Sequence, residues 1–322
     1  MTTKTRMRFN NTILLIITGT IALYAIFLFV ADFNLIEEKI SSFKINYLPI
    51  ILILVTLSVI PLFIKWHFLL KNCEIEIPLA KSIAVFLSGM AFDITPGQIG
   101  ALMKSQILKT SSNIPRTKTA PIVLVEKVYD LIGAFLASII GIIILGLDPY
   151  LIIIAILVLA KIFFFMYYRP AAELFFNLIT KTKFFSKYVE NLSEFHEIIQ
   201  KSTNVKVATI CIILAVTYWF LISVAVYYTL IAFDIDILDY FKVLSIYATS
   251  SLLGAISFIP GGIGITEGTL AGLLTLEGIG VSTALILSVM IRIMTLWYLV
   301  CIGFIALKFT GAFSFKKDFL KE

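Results

Sequence analysis

Apolar residues run through this chain in long unbroken blocks rather than in alternation. Blocks at 11–30, 47–67, 121–145, 149–168, 207–231 and 282–307 are each about 20 residues or longer. A helix of that length crosses a hydrocarbon core about 30 Å thick. Two shorter apolar stretches, 79–94 and 242–259, each lead into a Pro-Gly-x-Ile-Gly sequence and then into a second short segment, 99–109 or 264–277. The pattern predicts an all-α polytopic membrane protein with six full crossings and two hairpins broken at Pro-Gly, about eight membrane segments by simple count. Helices are the expected state because unpaired backbone groups in lipid are too costly.

Composition sharpens this picture. Of 322 residues, 60% are hydrophobic and 14% charged, against about 25% charged in a soluble domain, and the mean hydropathy is +1.01. The expectation is one integral membrane domain over 1–322. Lys4, Arg6 and Arg8 precede the first apolar run as they would in a secretory signal, but ADFNLIEEK comes next with no small-residue cleavage site, which favours an uncleaved first span. The net charge of +6 then reports topology and contact with anionic lipid, not nucleic acid. Cys73, Cys211 and Cys301 are scattered and suggest neither a metal site nor a disulfide framework. His67 and His196 have no second histidine at metal-site spacing, and no nucleotide-loop, zinc-protease or nucleophile-turn motif is present. No cofactor, metal or catalytic residue is expected.

Loop charges orient the spans. The basic N-terminus, the group Lys65, Lys71 and Lys81, the stretch Lys104 to Lys118, the connector 169–206 and Lys316, Lys317 and Lys321 read as cytoplasmic. FDIDILDY (233–240) carries three aspartates and reads as external. Both termini then lie in the cytoplasm of a multi-pass cell-membrane protein. With both flanks of the first Pro-Gly element inside and the second opened from outside, the two hairpins enter from opposite faces. Eight full crossings would also leave both termini inside. The halves, approximately 47–168 and 207–308, form an inverted repeat joined by an amphipathic cytoplasmic connector. Inverted repeats with broken helices commonly hold a substrate near the midplane.

The two breaks align on Pro96 with Pro260, Gly97 with Gly261, Ile99 with Ile263 and Gly100 with Gly264. Proline removes a donor, glycine permits sharp turns, and irregular backbone at depth must be buried in protein or line a polar cavity. A pair of purely structural breaks accounts for the same residues. The functional alternative rests on the ionisable residues downstream of each break. Lys104 and Glu267 fall in the first turns of short helices, where free amides favour anions, although Glu267 also suits an ordinary capping role. Glu126 and Asp130 share a face of the next long helix, with Asp130 about 13 Å along from Pro121 and Glu126 near enough to its start to suit the headgroup boundary. Arg292 lies 32 residues after Pro260, and Glu126 lies 30 after Pro96. An ion pair between Glu126 and Arg292 at the repeat interface is one reading, and a polar headgroup bridging them is the other. The candidate substrate-binding set is Gly97, Gly100, Lys104, Glu126, Asp130, Pro260, Gly261, Gly264, Glu267 and Arg292. Lys104 and Arg292 are expected to meet a lipid phosphate in one polar cavity.

FDITPGQIGALMKSQIL, VEKVYD and FIPGGIGITEGTL, with Arg292 downstream, resemble the flippase-like membrane domain of lysylphosphatidylglycerol synthases and its free-standing relatives, over roughly residues 10–308. The chain departs from that pattern where Ala101 succeeds Gly100 in place of glutamate, and where Lys127 succeeds Glu126 in place of arginine. The resemblance implies movement between leaflets of a phospholipid or of an aminoacyl- or glycosyl-linked lipid, including a polyprenyl-phosphate sugar. It also implies a separate synthase or glycosyltransferase as a partner, because the chain as given ends fourteen residues after Lys308, too few for the soluble synthase domain. A membrane enzyme acting on a lipid phosphate, or an accessory subunit, are the alternatives.

Overall fold

The structure is a computed structural model that describes residues 33–95, 100–144 and 192–310, with isolated positions at 150, 153 and 157. The expected crossings at 11–30 and 149–168, Pro96, Gly97 and Ile99 of the first break, most of the connector and the C-terminal lysines lie outside the described residues. Within them the chain is helical and contains no strand, in agreement with an all-α, multi-pass membrane protein.

In chain order the described helices are α1 (Phe33–Ser42), α2 (Leu48–Asn72), α3 (Leu79–Met90), α4 (Met103–Ser112) and α5 (Arg116–Ile144), then α6 (Leu192–Ser202), α7 (Val205–Ala232), α8 (Tyr240–Ile256), α9 (Ile265–Leu276) and α10 (Val281–Phe309). Three segments, Ile45–Asn72, Val205–Ala232 and Val281–Phe309, are long and apolar enough to cross a membrane. Helix α5 has 29 residues, as many as α10, but carries Glu126, Lys127 and Asp130, which turn inward. By contrast α3, at 12 residues, reaches only about 18 Å and cannot cross alone. Unpaired isoleucines such as Ile53, Ile60 and Ile213 stand on the outside of the long helices, a surface suited to lipid and not to water.

Local chemistry sets the ends. Asp239 caps α8 by accepting the Lys242 amide at 3.0 Å, and Asn204 caps α7 by accepting the Lys206 amide at 3.1 Å. Asn113, left-handed at φ 58°, closes α4. Lys44 ties the segment before α2 to the α7–α8 loop through an ion pair with Asp234, which holds the Lys44 ammonium above the ordinary lysine range. Helix α10 is interrupted by a π-helical turn, Ile293–Trp297, and beyond it Tyr298 shares a hydrogen bond of 2.9 Å with Thr56 of α2.

The packing is reciprocal. Helices α2 and α7 pack against each other; α3, before the first break, packs on the end of α10; and α8, before the second, packs on α5. The short helices on either side of each break also pack together, α3 on α4 and α8 on α9. Close approach between helices relies on absent side chains. A Cβ on Gly303 would meet the Ala91 backbone nitrogen at 2.3 Å, and one on Gly133 would meet the Ala215 Cβ at 2.7 Å. The amphipathic helix α6 covers the bundle, burying Ile198 and Ile199 against α5. There Tyr129 donates to the Ser202 carbonyl at 2.9 Å.

Candidate functional site

The second break is described in full. Pro260–Gly262 form a single 3-10 turn, Ile263 is extended, and Gly264 is the N-cap of α9. Gly261, Gly262 and Gly264 have φ of 60°, 64° and 88°, the left-handed region that only glycine adopts without strain. Arg292 of α10 fastens this turn. Its Nε donates to Glu267 Oε1 at 2.9 Å, and a second guanidinium nitrogen donates to the Gly261 carbonyl. The other carboxylate oxygen of Glu267 accepts the Gly264 amide at 2.7 Å. Glu267 is completely buried, and a buried carboxylate persists only when paired and hydrogen-bonded in this way.

The first break is held differently. The Gly100 amide donates to Thr95 Oγ1 at 2.6 Å, and a Cβ on Gly100 would lie 2.5 Å from the Phe92 carbonyl. Lys104 of α4 forms a buried ion pair with Glu126 of α5, its ammonium 4.5 Å from the centre of the Trp66 ring. One turn further along α5, Asp130 pairs with Lys65 of α2. Lys127 lies 3.3 Å from Asp93, in the turn after α3, and 3.7 Å from Asp130.

Between the breaks lies a cavity of about 160 Å³, well above the roughly 10–15 Å³ that one water needs. Asp93 and Thr95 from the first break, Lys127 and Asp130 from α5, Gly261 and Gly262 from the second break, and Arg292 and Thr295 from α10 reach it. Tyr218 and Trp219 of α7 and Tyr247 of α8 form an aromatic wall, with Tyr218 and Trp219 edge to face at 5.2 Å.

Of the residues selected from sequence, Asp130, Gly261 and Arg292 line this cavity. Gly100, Lys104, Glu126, Pro260, Gly264 and Glu267 do not; they hold the surrounding elements, and Gly97 lies outside the described residues. Two expectations are corrected. Glu126 and Arg292 do not pair with each other, because each already has a partner from the short helix of its own half. Lys104 does not share the cavity with Arg292, because it is committed to Glu126 beside Trp66; Lys127 is the lysine that does. Lys65, read from sequence as one of the lysines marking the cytoplasmic end of the 47–67 span, is fully buried within α2. Sequence reasoning does not select Asp93, Lys127 or the aromatic wall. Asp93 is visible as an ionisable residue three positions before the first Pro-Gly, and Lys127 as a charge within an apolar helix. Among the described residues no group of histidine, cysteine, aspartate or glutamate could hold a metal ion.

The chain matches the family described as Lysylphosphatidylglycerol synthase TM region over residues 15–303. It is 25% identical over 320 residues to the UPF0104 membrane protein PH1989 of Pyrococcus horikoshii, an alignment that covers 90% of this chain and 94% of that protein.

Proposed function

This chain belongs to the lysylphosphatidylglycerol synthase transmembrane-region family, and from that premise we propose that it is a lipid flippase or transporter. Its cargo in this reading is an anionic phospholipid or a lipid-linked aminoacyl or glycosyl group moved between leaflets of the cell membrane. The observation that carries the reading is the charged cavity between the two breaks, lined by Lys127 of α5, Arg292 of α10 and the non-helical backbone of Gly261 and Gly262. Such backbone belongs in a membrane where it lines a polar cavity, and broken helices at the junction of like halves suit a midplane substrate site. Arg292 and Lys127 receive the phosphate, and Asp93 and Asp130 exchange partners as the headgroup passes. Release requires that no single pair be too strong, which fits lysine contacts of 3.3 and 3.7 Å. No covalent step is needed.

The test is reconstitution of the purified protein in liposomes. Movement of labelled phospholipids and polyprenyl phosphates between leaflets is measured beside chemical analysis of the lipid. Wild-type protein moves at least one anionic lipid unchanged, and Asp130→Asn and Arg292→Gln lose movement while still inserting as folded protein. Altered lipid without leaflet movement would favour an enzyme, and full transport by both variants would remove the cavity from the mechanism. The accompanying topology places both termini and Ser112 in the cytoplasm and Asp236 outside. Single cysteines at Ser112 and Asp236, in a chain lacking the native three, are expected to label from opposite sides; labelling from one side rejects the map.

A further inference from the structure

Among the described residues, the charges in and immediately behind the cavity balance. Asp93, Lys127, Asp130 and Arg292 reach it. Behind them Lys65 sits on Asp130, Glu267 on Arg292, and Lys104 with Glu126. The site by itself is therefore neutral, and a phosphate entering it alone would add an uncompensated charge at membrane depth, which is expensive. The cations are not equally available to that phosphate. Arg292 is bound to both Glu267 and the Gly261 carbonyl, whereas Lys127 is shared between two carboxylates at 3.3 and 3.7 Å. When an anion takes Lys127, Asp130 keeps Lys65, but Asp93 loses the lysine it pairs with and is left facing the anion.

Resting on the transport reading, we propose that the anionic headgroup is carried together with one proton, taken up on the Asp93 carboxylate. Two anions at one site favour protonation of the one with less cationic support. The charged and titratable groups around Asp93 are Lys127 and Asp130 of α5, the Lys104–Glu126 pair beyond them, Tyr218 of α7, Tyr247 of α8 and Arg292 of α10. Among these carboxylates, Asp130 and Glu126 each retain a lysine. The proton comes from the water on the side where the headgroup enters and leaves with the headgroup on the other. No bond other than O–H forms or breaks. Neutral Asp93 also no longer ties the turn after α3 to α5 through Lys127.

The test uses the full chain in phosphatidylcholine liposomes containing a pH-sensitive dye, with trace fluorescent phosphatidylglycerol, or fluorescent polyprenyl phosphate, in the outer leaflet. Inward movement is expected to acidify the lumen by one proton per lipid moved, and a lumen more alkaline by about one pH unit to raise the inner-to-outer ratio of the singly charged lipid about tenfold. Asp93→Asn loses both responses. Independently of transport, adding short-chain phosphatidylglycerol to the solubilised protein produces an infrared band of a protonated carboxyl group, which Asp93→Asn lacks. Lipid movement at constant lumen pH overturns the coupling and leaves transport standing. Failure of every labelled lipid to move, under any gradient, overturns transport and the coupling with it. A carboxyl band that persists in Asp93→Asn overturns the assignment to Asp93.

Discussion

At the second break Arg292 and Glu267 bind the backbone of the turn itself, whereas after the first the pair Lys104 and Glu126 packs beside Trp66, and Thr95 accepts the Gly100 amide. Each pair joins the short helix after a break to the next long helix, across 22 residues in one half and 25 in the other. The signs are exchanged: the short helix supplies the base in the first half and the acid in the second. An acid at the start of a helix can also accept a free amide, and Glu267 does so. A lysine there has no acceptor, so a hydroxyl from upstream takes the amide instead. Arginine's fork lets one side chain hold both a carboxylate and a carbonyl, which a lysine ammonium does less well. An ion pair of this kind therefore follows each break, and at the second its charges also hold the turn.

Four substitutions set the two fastenings against each other. Arg292→Leu strands Glu267 in a fully buried site and frees the Gly261 carbonyl; a loss of about 3–5 kcal/mol is expected, read as a large drop in unfolding temperature in detergent. A drop no greater than that of Lys104→Met would make the two fastenings equivalent. Lys104→Met leaves Glu126 with Lys65 nearby, whose ammonium lies 3.5 Å from the Glu126 carbonyl, and about 2–3 kcal/mol is expected. Adding Glu126→Met should recover most of it, since an apolar pair replaces a buried ionic one at little cost; no recovery would mean that packing, not charge, was lost. Gly254→Ala drives a Cβ to 1.9 Å from Thr266 Oγ1 and separates α8 from α9 at a cost of about 1–3 kcal/mol. Thr266→Ala in the same chain should relieve part of that, and an additive double variant contradicts the contact. Thr95→Val removes the acceptor of the Gly100 amide for about 1 kcal/mol; a change as large as that of Arg292→Leu would show that the first turn is the more tightly fixed.

The spans at 47–67, 207–231 and 282–307 are legible because a run of apolar residues at helical length has few alternatives, and the glycine-bearing breaks because their residues cannot continue a helix. The partners of the charges are not. Sequence spacing places Glu126 and Asp130 on one face of α5, but which lysine meets that face depends on which helices adjoin it. A lysine near the end of an apolar block looks the same in sequence whether it reaches water or, like Lys65, an aspartate on another helix. The similar spacing of 30 and 32 residues downstream of the two prolines suggests a contact between Glu126 and Arg292 that the structure does not make. Similar distance from two like motifs says nothing of contact, and each residue pairs instead with the short helix after its own break.

The π-helical turn at Ile293–Trp297 has a consequence for how α10 is assembled. One residue more than an α-helix would use in that turn offsets everything after it by about 100°. The helix is thus two rods set end to end with separate angular settings: the first aims Arg292 at the second break, and the second aims Gly303 at Ala91, the C-cap of α3. Removing one residue from the turn would leave both contacts chemically intact yet out of phase, with Gly303 rotated off the surface it was made small to meet.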